Sequence, residues 1–361
     1  MTFQGTPAPP TYTQAVIKSL RRRGFATPLE SGISMIVFGV LLYLLWLVLD
    51  WAIVRAVWRA EDVVNCGGSA GACWSVISAR YRLIFFGLYP YDQHWRSTLA
   101  CVLIVGTVVL SCVPTLWTGK RLALLWMAGF AGYYLVMEGS LLGLPQVTTD
   151  QWGGLALTLF LFASVVILGM PLGLALALMR RSTLPVVRIF AGLVIDFVRS
   201  LPLLTTLFTA AVVVPILLPS WLQGDKIWRV IIAFALFFAS YQAEVFRGGF
   251  QALPKGQFEA GKALGLNYWQ ILGRIVLPQV FRYALPSTVN MIVVTFKETA
   301  IVIIIGFFDV LASANAAFGT GEWTPYYFEV YVFVAALYWV FIFSLGQYGE
   351  HLKTRMSVAR R

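Results

Sequence analysis

Gly67 to Gly71 read GGSAG, the spacing of the sharp turn that exposes a nucleophilic serine, and Asp92 and His94 follow as formal partners. That chemistry needs a strand before the turn and a helix after it. Here two cysteines and a glycine-rich loop flank the serine, which argues against a hydrolase. The two histidines, His94 and His351, fall on opposite sides of the topology derived below, so a histidine-based metal site is not expected. A phosphate-cradling G-x-x-x-x-G-K-[ST] loop is missing as well, because Gly119-Lys120 has Pro114 where the upstream glycine belongs. No catalytic residue, metal ligand or cofactor of this chain's own is expected, and ATP hydrolysis by that route is excluded.

A different chemistry is suggested by polar groups inside oily segments. A charged side chain at a bilayer centre costs about 2.5–3.5 kcal/mol on insertion scales, so such residues usually face a cavity or a partner. Segment 284–306 holds Asn290, Thr295, Lys297, Glu298 and Thr299. Segment 193–218 opens with Asp196, Arg199 and Ser200, and Tyr241, Gln242 and Glu244 lie at the inner end of 229–246. Two readings stay open. Asp196 and Arg199 suit a helix-surface ion pair at i, i+3, and Lys297 and Glu298 suit pairing to neighbouring helices. Alternatively Arg199, Tyr241, Glu244, Asn290, Thr295, Lys297, Glu298 and Thr299 line a polar translocation path. Successive helical residues diverge by about 100°, so Lys297 and Glu298 cannot both face one point squarely. Either could contact a zwitterion, the lysine at its carboxylate or the glutamate at its ammonium.

These groups need a membrane scaffold, and composition supplies one. The chain of 361 residues is 59% hydrophobic and only 12% charged, with a mean hydropathy of +0.78, too apolar for an ordinary soluble domain. A hydrocarbon core of about 30 Å takes about 20 helical residues to cross. Spans are predicted near 32–54, 99–118, 122–140, 153–179, 193–218, 229–246, 284–306 and 327–347, which makes an all-α integral membrane protein of about eight helices. Continuous apolar runs without ten-residue alternation exclude a barrel. No removable signal peptide is expected, since the first apolar run starts after thirty residues and is long enough to span.

Basic residues set the orientation. Lys18, Arg21, Arg22 and Arg23 precede the first span, Lys120 and Arg121 follow the second, Arg180 and Arg181 end the fourth, and Lys353, Arg355, Arg360 and Arg361 follow the last. Both termini are therefore expected in the cytoplasm. The loop 55–98 falls outside although it carries Arg55, Arg59, Arg80, Arg82 and Arg96, offset in part by Glu61, Asp62 and Asp92. The net charge of +11 is assigned to membrane anchoring and inner-face contacts, not to nucleic acid. In that outer loop Cys66 and Cys73 either form a disulfide, worth about 2–3 kcal/mol by chain entropy, or remain free thiols. Cys101 and Cys112 are expected as packing residues within the second span.

The chain divides near residue 150 at TTDQWGG. The expected organisation is a tail (1–30), a three-helix extension (31–150) with outer loop 55–98, a core (151–350) with a cytoplasmic polar insert (246–283), and a second tail (351–361). Within the insert, QFEAGKALGLNYWQILGRIVLP (257–278) reads as helix, turn, helix. Gly265 suits a left-handed C-terminus with Leu266 covering the last turn, Asn267 and Gln270 form a capping box, and Pro278 is expected to stop the second helix. An interfacial helix pair lying on lipid and a docking element for a cytoplasmic partner both fit. Pro171 and Pro202 should bend or break their helices, and Gly169 and Gly173 are spaced for close helix contact.

The spacing Glu259-Ala260, Gly265, then Ile275 to Pro278 resembles the EAA motif of permease subunits in bacterial type I ABC importers. DFVRSLPLL (196–204), YQAEVFRGGFQALPKGQ (241–257) and FKETAIV (296–302) further resemble the polar amino-acid permeases over about residues 150–350. The first part, with GACWSVISARYR and FGLYPYDQHWR, is similar to the M-type membrane subunit of broad-specificity L-amino-acid importers. The resemblance implies an inner-membrane, multi-pass permease for L-amino acids, broad or polar/acidic in range. Its implied partners are a second related permease, a cytoplasmic ATPase subunit in two copies that binds ATP and Mg, and a periplasmic amino-acid-binding protein, with lipid around it. Glu259, Ala260, Gly265, Leu277 and Pro278 become the implied ATPase-coupling residues. Gly261 replaces an alanine of the motif, which should loosen the first coupling helix by up to about 1 kcal/mol. Glu298 stands where an aspartate is common. A gradient-driven secondary transporter or channel is the alternative, disfavoured because such proteins concentrate coupling chemistry near the midplane.

Overall fold

The computed structural model describes residues 27–59, 66–67, 70–254, 256–319 and 321–358. The basic residues 18 to 23, Glu61, Asp62, Ser69 of the GGSAG match, and Arg360 and Arg361 lie outside them. Two compact units divide after Ser78.

In the first unit, helix α1 (Pro28–Leu49) begins at a capping box. The Thr27 hydroxyl accepts the Glu30 N–H at 3.2 Å and the Glu30 carboxylate accepts the Thr27 N–H at 3.3 Å. A π-helical turn, Asp50–Val54, extends it, and none of its residues is buried. A helix apolar on every side, with no buried residue among those described, suits lipid. The chain then doubles back: the Val57 N–H donates to the Ala72 carbonyl at 2.8 Å, and the Ala72 N–H to the Trp51 carbonyl at 2.9 Å. Cys66 and Cys73 form a disulfide across this turn, Cα atoms 5.6 Å apart. The Trp74 indole N–H donates to the Ala52 carbonyl at 2.7 Å and its ring stacks on Trp58. Helix α2 (Ser75–Phe86) follows.

The second unit contains α3 (His94–Ser111), α4 (Gly119–Glu138), α5 (Gly154–Arg180), α6 (Pro185–Ser200), α7 (Leu203–Phe208), α8 (Lys226–Gln251), α9 (Gly256–Ala263), α10 (Tyr268–Ile271), α11 (Leu277–Glu298), α12 (Val310–Phe318) and α13 (Tyr327–Val358). Among the described residues six helices are long and apolar enough to span, or seven if α6 and α7 count as one bent span. The less apolar α4, twenty residues long, is the eighth element of spanning length. The all-α membrane fold expected from composition is therefore present. A two-residue pairing of Gly153–Gly154 with Phe308–Asp309 is its small β addition.

Helix α5 is the centre, apolar all round and buried on most of its N-terminal half. Its small residues admit α8: a methyl at Gly173 would lie 3.0 Å from the Ala239 carbonyl oxygen and 3.1 Å from Gln242 Cβ. The spacing of Gly169 and Gly173 thus serves the close contact expected of it. Helices α3 and α4 of the extension belong to the same core. Tyr133 stacks on Phe160 at 4.6 Å and its hydroxyl donates to the Ala156 carbonyl at 2.9 Å, so residue 150 is no packing boundary.

Arg96, counted above as an outer-loop charge, is wholly buried. Its Nε donates to the Val136 carbonyl at 2.7 Å, Nη2 to Met137 at 2.9 Å and Nη1 to Pro145 at 2.9 Å. It caps the open carbonyls at the end of α4. Arg55 pairs with Asp50, and Arg82 sits 4.2 Å over the Tyr91 ring. Three of the five arginines that opposed the orientation rule are thus engaged within the protein.

Of three expectations about prolines, the one for Pro202 is met and those for Pro171 and Pro278 are corrected. Pro171 lies inside an unbroken α5. Pro202 does break its span: Leu201 is extended with ψ 143, as a residue before proline prefers, and α6 and α7 meet at 106°, so 193–218 is not one straight helix. Pro278 does not stop the second helix of the insert. A π-helical turn, Leu272–Val276, carries α10 into α11, and the proline falls in the first turn of that next segment, where a missing N–H costs nothing.

Candidate functional site

The insert between α8 and α11 folds as helix, turn, helix for the local reasons its residues supply. Gly265 adopts φ +72. The Leu266 N–H donates to the Gly261 carbonyl at 3.1 Å and the Gly265 N–H to Lys262 at 2.9 Å, the paired bonds that close a helix at a left-handed residue. Asn267 Oδ1 accepts the Gln270 N–H at 2.9 Å, and the Asn267 N–H donates to Gln270 Oε1 at 3.0 Å. Turn and cap therefore form as expected.

What faces inward and outward is decided by the fold. Phe258, Leu266, Ile271, Leu272 and Leu277 join an apolar cluster with Phe246, Phe250 and Val280. Glu259, Ala260 and Gly265 are exposed, beside Leu264 at 76%, Trp269 at 72% and Tyr268 at 53% exposure. Leu277 is half-buried and Pro278 exposed where the π turn meets α11. Gly261 has a second role. A methyl there would lie 2.7 Å from Ile271 Cγ1, and Ile271 is 1% exposed, so this glycine lets α9 close on α10. The helix propensity it forgoes, about 1 kcal/mol, is offset by that close approach.

Within the bundle, α11 turns a polar stripe away from the core. Tyr283, Ser287, Asn290 and Lys297 are exposed and recur at i, i+4, i+7 and i+14, one helix face with half-buried Val294 between. Asn290 and Lys297 belong to the path read from sequence; Tyr283 and Ser287 were missed, although their spacing of seven and three residues before Asn290 was available. Thr295 and Thr299 face inward, their hydroxyls donating to the Met291 carbonyl at 2.9 Å and the Phe296 carbonyl at 2.7 Å. Glu298 is half-buried, and its Oε2 has no hydrogen-bond partner among the described residues. The divergence argued for Lys297 and Glu298 is seen directly.

Arg199, Tyr241 and Glu244 come together elsewhere, at the end of the bundle that carries the helix–turn–helix. Arg180 Nη1 lies 2.8 Å from Glu244 Oε1, and Arg199 Nη1 lies 3.8 Å from its Oε2. The Arg199 guanidinium is 5.2 Å from the Tyr241 ring centre. Asp196 binds Arg180, at 3.1 and 3.2 Å, in place of the local partner Arg199. At the opposite end Asp309 caps α12 by accepting the Ala312 N–H at 2.9 Å, and burial pushes its carboxyl up to about 6.

Residues 169–358, which hold the capped turn, the stripe and the ion cluster, match the family described as binding-protein-dependent transport system inner membrane component. The chain belongs to this family. The inner membrane amino-acid ABC transporter permease protein YhdY of Escherichia coli K12 is 42% identical over 318 residues, spanning 86% of this chain and 85% of that relative. The glutamate/glutamine/aspartate/asparagine transport system permease protein BztC of Rhodobacter capsulatus is 33% identical, spanning 97% and 95%. A crystal structure of an amino acid ABC transporter with histidines has TM-score 0.50 at 30% identity over 56% of this chain and 92% of its own. This permease is thus a multi-pass inner-membrane transport component of an ABC importer. The similarity to YhdY and BztC runs into the residues before 150, so the extension is part of what these relatives share.

Proposed function

We propose that this permease forms an amino-acid path with a second, related permease and transmits ATP-driven motion from a cytoplasmic ATPase subunit, two copies per complex, that binds ATP and Mg. A periplasmic binding protein delivers the substrate, an L-amino acid of broad or polar/acidic range, in keeping with what the names of YhdY and BztC say of those proteins. Both termini and the insert then face the cytoplasm, and Cys66–Cys73 the periplasm. One observation carries the reading: a capped, rigid helix–turn–helix exposes Leu264, Tyr268 and Trp269 beside Glu259 and Ala260. An apolar patch set in a polar element fits a protein partner.

The test is purification of the co-expressed complex. A stoichiometric ATPase recovered with the chain supports the reading; gradient-driven uptake by the purified chain alone would sink it and return the secondary-transporter alternative.

The stripe is proposed as this chain's share of the path, with Lys297 and Asn290 attracting the substrate carboxylate and Glu298, which points off the stripe, lying behind it. Lys297→Ala and Asn290→Ala should each lower uptake by reconstituted complex about fivefold or more, a loss of about 1 kcal/mol of binding, with the ATPase still bound. Glu298→Ala should also alter uptake. Thr295→Val, whose hydroxyl is spent on its own helix, should stay within about twofold. Wild-type uptake in both the lysine and asparagine variants would return those residues to a structural role.

A further inference from the structure

The ion cluster at the insert end ties three helices through one carboxylate. Glu244 has a side-chain exposure of 16% and gathers three guanidinium groups. Arg180, at the end of α5, reaches Oε1 at 2.8 Å. Arg247, one turn on in α8, reaches Oε2 with Nη2 at 2.7 Å and Nε at 2.8 Å. Arg199, in the last turn of α6, stands 3.8 Å from Oε2. Arg180 also grips Asp196 of α6 with both terminal nitrogens.

The helices so tied are not equally packed. The α5–α8 pair interlocks at Gly169 and Gly173 and resists sliding. Helix α6 buries only Ala191, Ile195 and Val198. Its other face, including Val186, Phe190, Leu193 and Phe197, is exposed, and the chain turns by 106° at Leu201–Pro202 just beyond it. At this end of α6, next to the break, Ile195 and Val198 supply the apolar packing and the ion cluster adds a tie by charge. Ion pairs at a partly wetted edge are individually weak and readily exchanged. If Glu244 were neutral, Arg180, Arg199 and Arg247 would face one another with Asp196 as the remaining counter-charge among them, and like charges at this range repel.

We propose that Glu244 is a positioning residue for coupled transport: it holds α6 against the α5–α8 pair in the resting permease, and the ATP-driven step must release that hold. The second half of this statement rests on the ATPase coupling proposed above; the first does not.

The experiment uses the assembled complex, with Cys101 and Cys112 replaced by serine and a spin label placed at Ser200→Cys, an exposed position at the end of α6. Glu244→Gln should increase the mobile fraction of the label at least twofold. It should also raise ATP hydrolysis without binding protein about three- to tenfold, the stimulated rate changing by less than twofold. Asp196→Asn, on a side chain 60% exposed and so harmless to folding, should move both readouts the same way by less. Glu244→Asp should restore part of the wild-type ratio. Should Glu244→Gln not assemble, Asp196→Asn decides. An unchanged label overturns the hold on α6, and a loosened label with an unchanged ratio of basal to stimulated hydrolysis overturns its part in coupling. If the wild-type chain recovers no ATPase, the coupling reading fails by itself, while the label on the isolated chain still reports on the hold.

Discussion

Gly265→Val is expected to lower binding-protein-stimulated ATP hydrolysis in the assembled complex about tenfold while the chain still inserts into the membrane. The new side chain meets no steric obstacle, because nothing lies within 4 Å of a methyl at this position. The cost is in the backbone. At φ +72 an L-residue is about 1–2 kcal/mol less favourable than glycine, and a β-branched one more so. Relaxing that strain breaks the bonds from Leu266 to Gly261 and from Gly265 to Lys262. α9 then loses its fixed angle to α10, and Leu264 and Trp269 no longer present one surface to the ATPase. A loss of about 1.4 kcal/mol corresponds to the tenfold effect. Gly265→Asn, whose side chain tolerates the left-handed region, should keep at least half of the activity. Wild-type stimulation in the valine variant would remove the turn from the coupling path.

The second large effect is on stability. Arg96→Met keeps an unbranched apolar stem and removes the guanidinium that donates to the carbonyls of Val136, Met137 and Pro145. Buried acceptors left open, together with lost charge-assisted bonds, should cost about 2–5 kcal/mol. For a domain of this size that is a fall in melting temperature on the order of 10 °C. A melt of the purified permease followed with a thiol-reactive dye would read it, since Cys101 is half-buried against the same core and becomes reactive as that core opens. Arg96→Lys should recover part of the loss, because an ammonium reaches fewer of the acceptors at once. A melt unchanged in Arg96→Met would show that water takes over the three carbonyls.

Much of the molecule was legible from local chemistry. The turn at Gly265 and the capping box at Asn267–Gln270 depend on residues within five positions of one another, and backbone preferences at that range are decided by the side chains present. The spans are legible because a bilayer demands length and apolarity, which composition reports directly. Pro202 was legible for the same reason as Gly265, through the restriction it places on Leu201. Pro171 and Pro278 were not. A helix supported by its neighbours, or entered through a π turn, absorbs a proline that an isolated helix would not.

The charged residues mark the limit. Arg96 and Arg55 sit in one basic loop of the sequence, yet one is buried among carbonyls and the other is paired with Asp50. Asp196 has an arginine three residues away and binds one sixteen residues away instead. Glu244 was grouped with Lys297 as a path residue, and the groups that pair with it are arginines from α5, α6 and α8.

By itself the sequence determined that this chain is a bundle of membrane helices, and that 257–278 folds as helix, turn, helix with a left-handed glycine at 265 and a capping box at Asn267. These follow from hydropathy and from backbone terms that act within a few residues. Only the tertiary structure decided which polar groups meet: that Gly261 makes room for Ile271, that Asn290 and Lys297 share a face with Tyr283 and Ser287, and that Glu244 binds three helices together. Charge and contact act through space, and which side chains come within a few ångströms is set by how the helices pack, a choice that no short stretch of sequence contains.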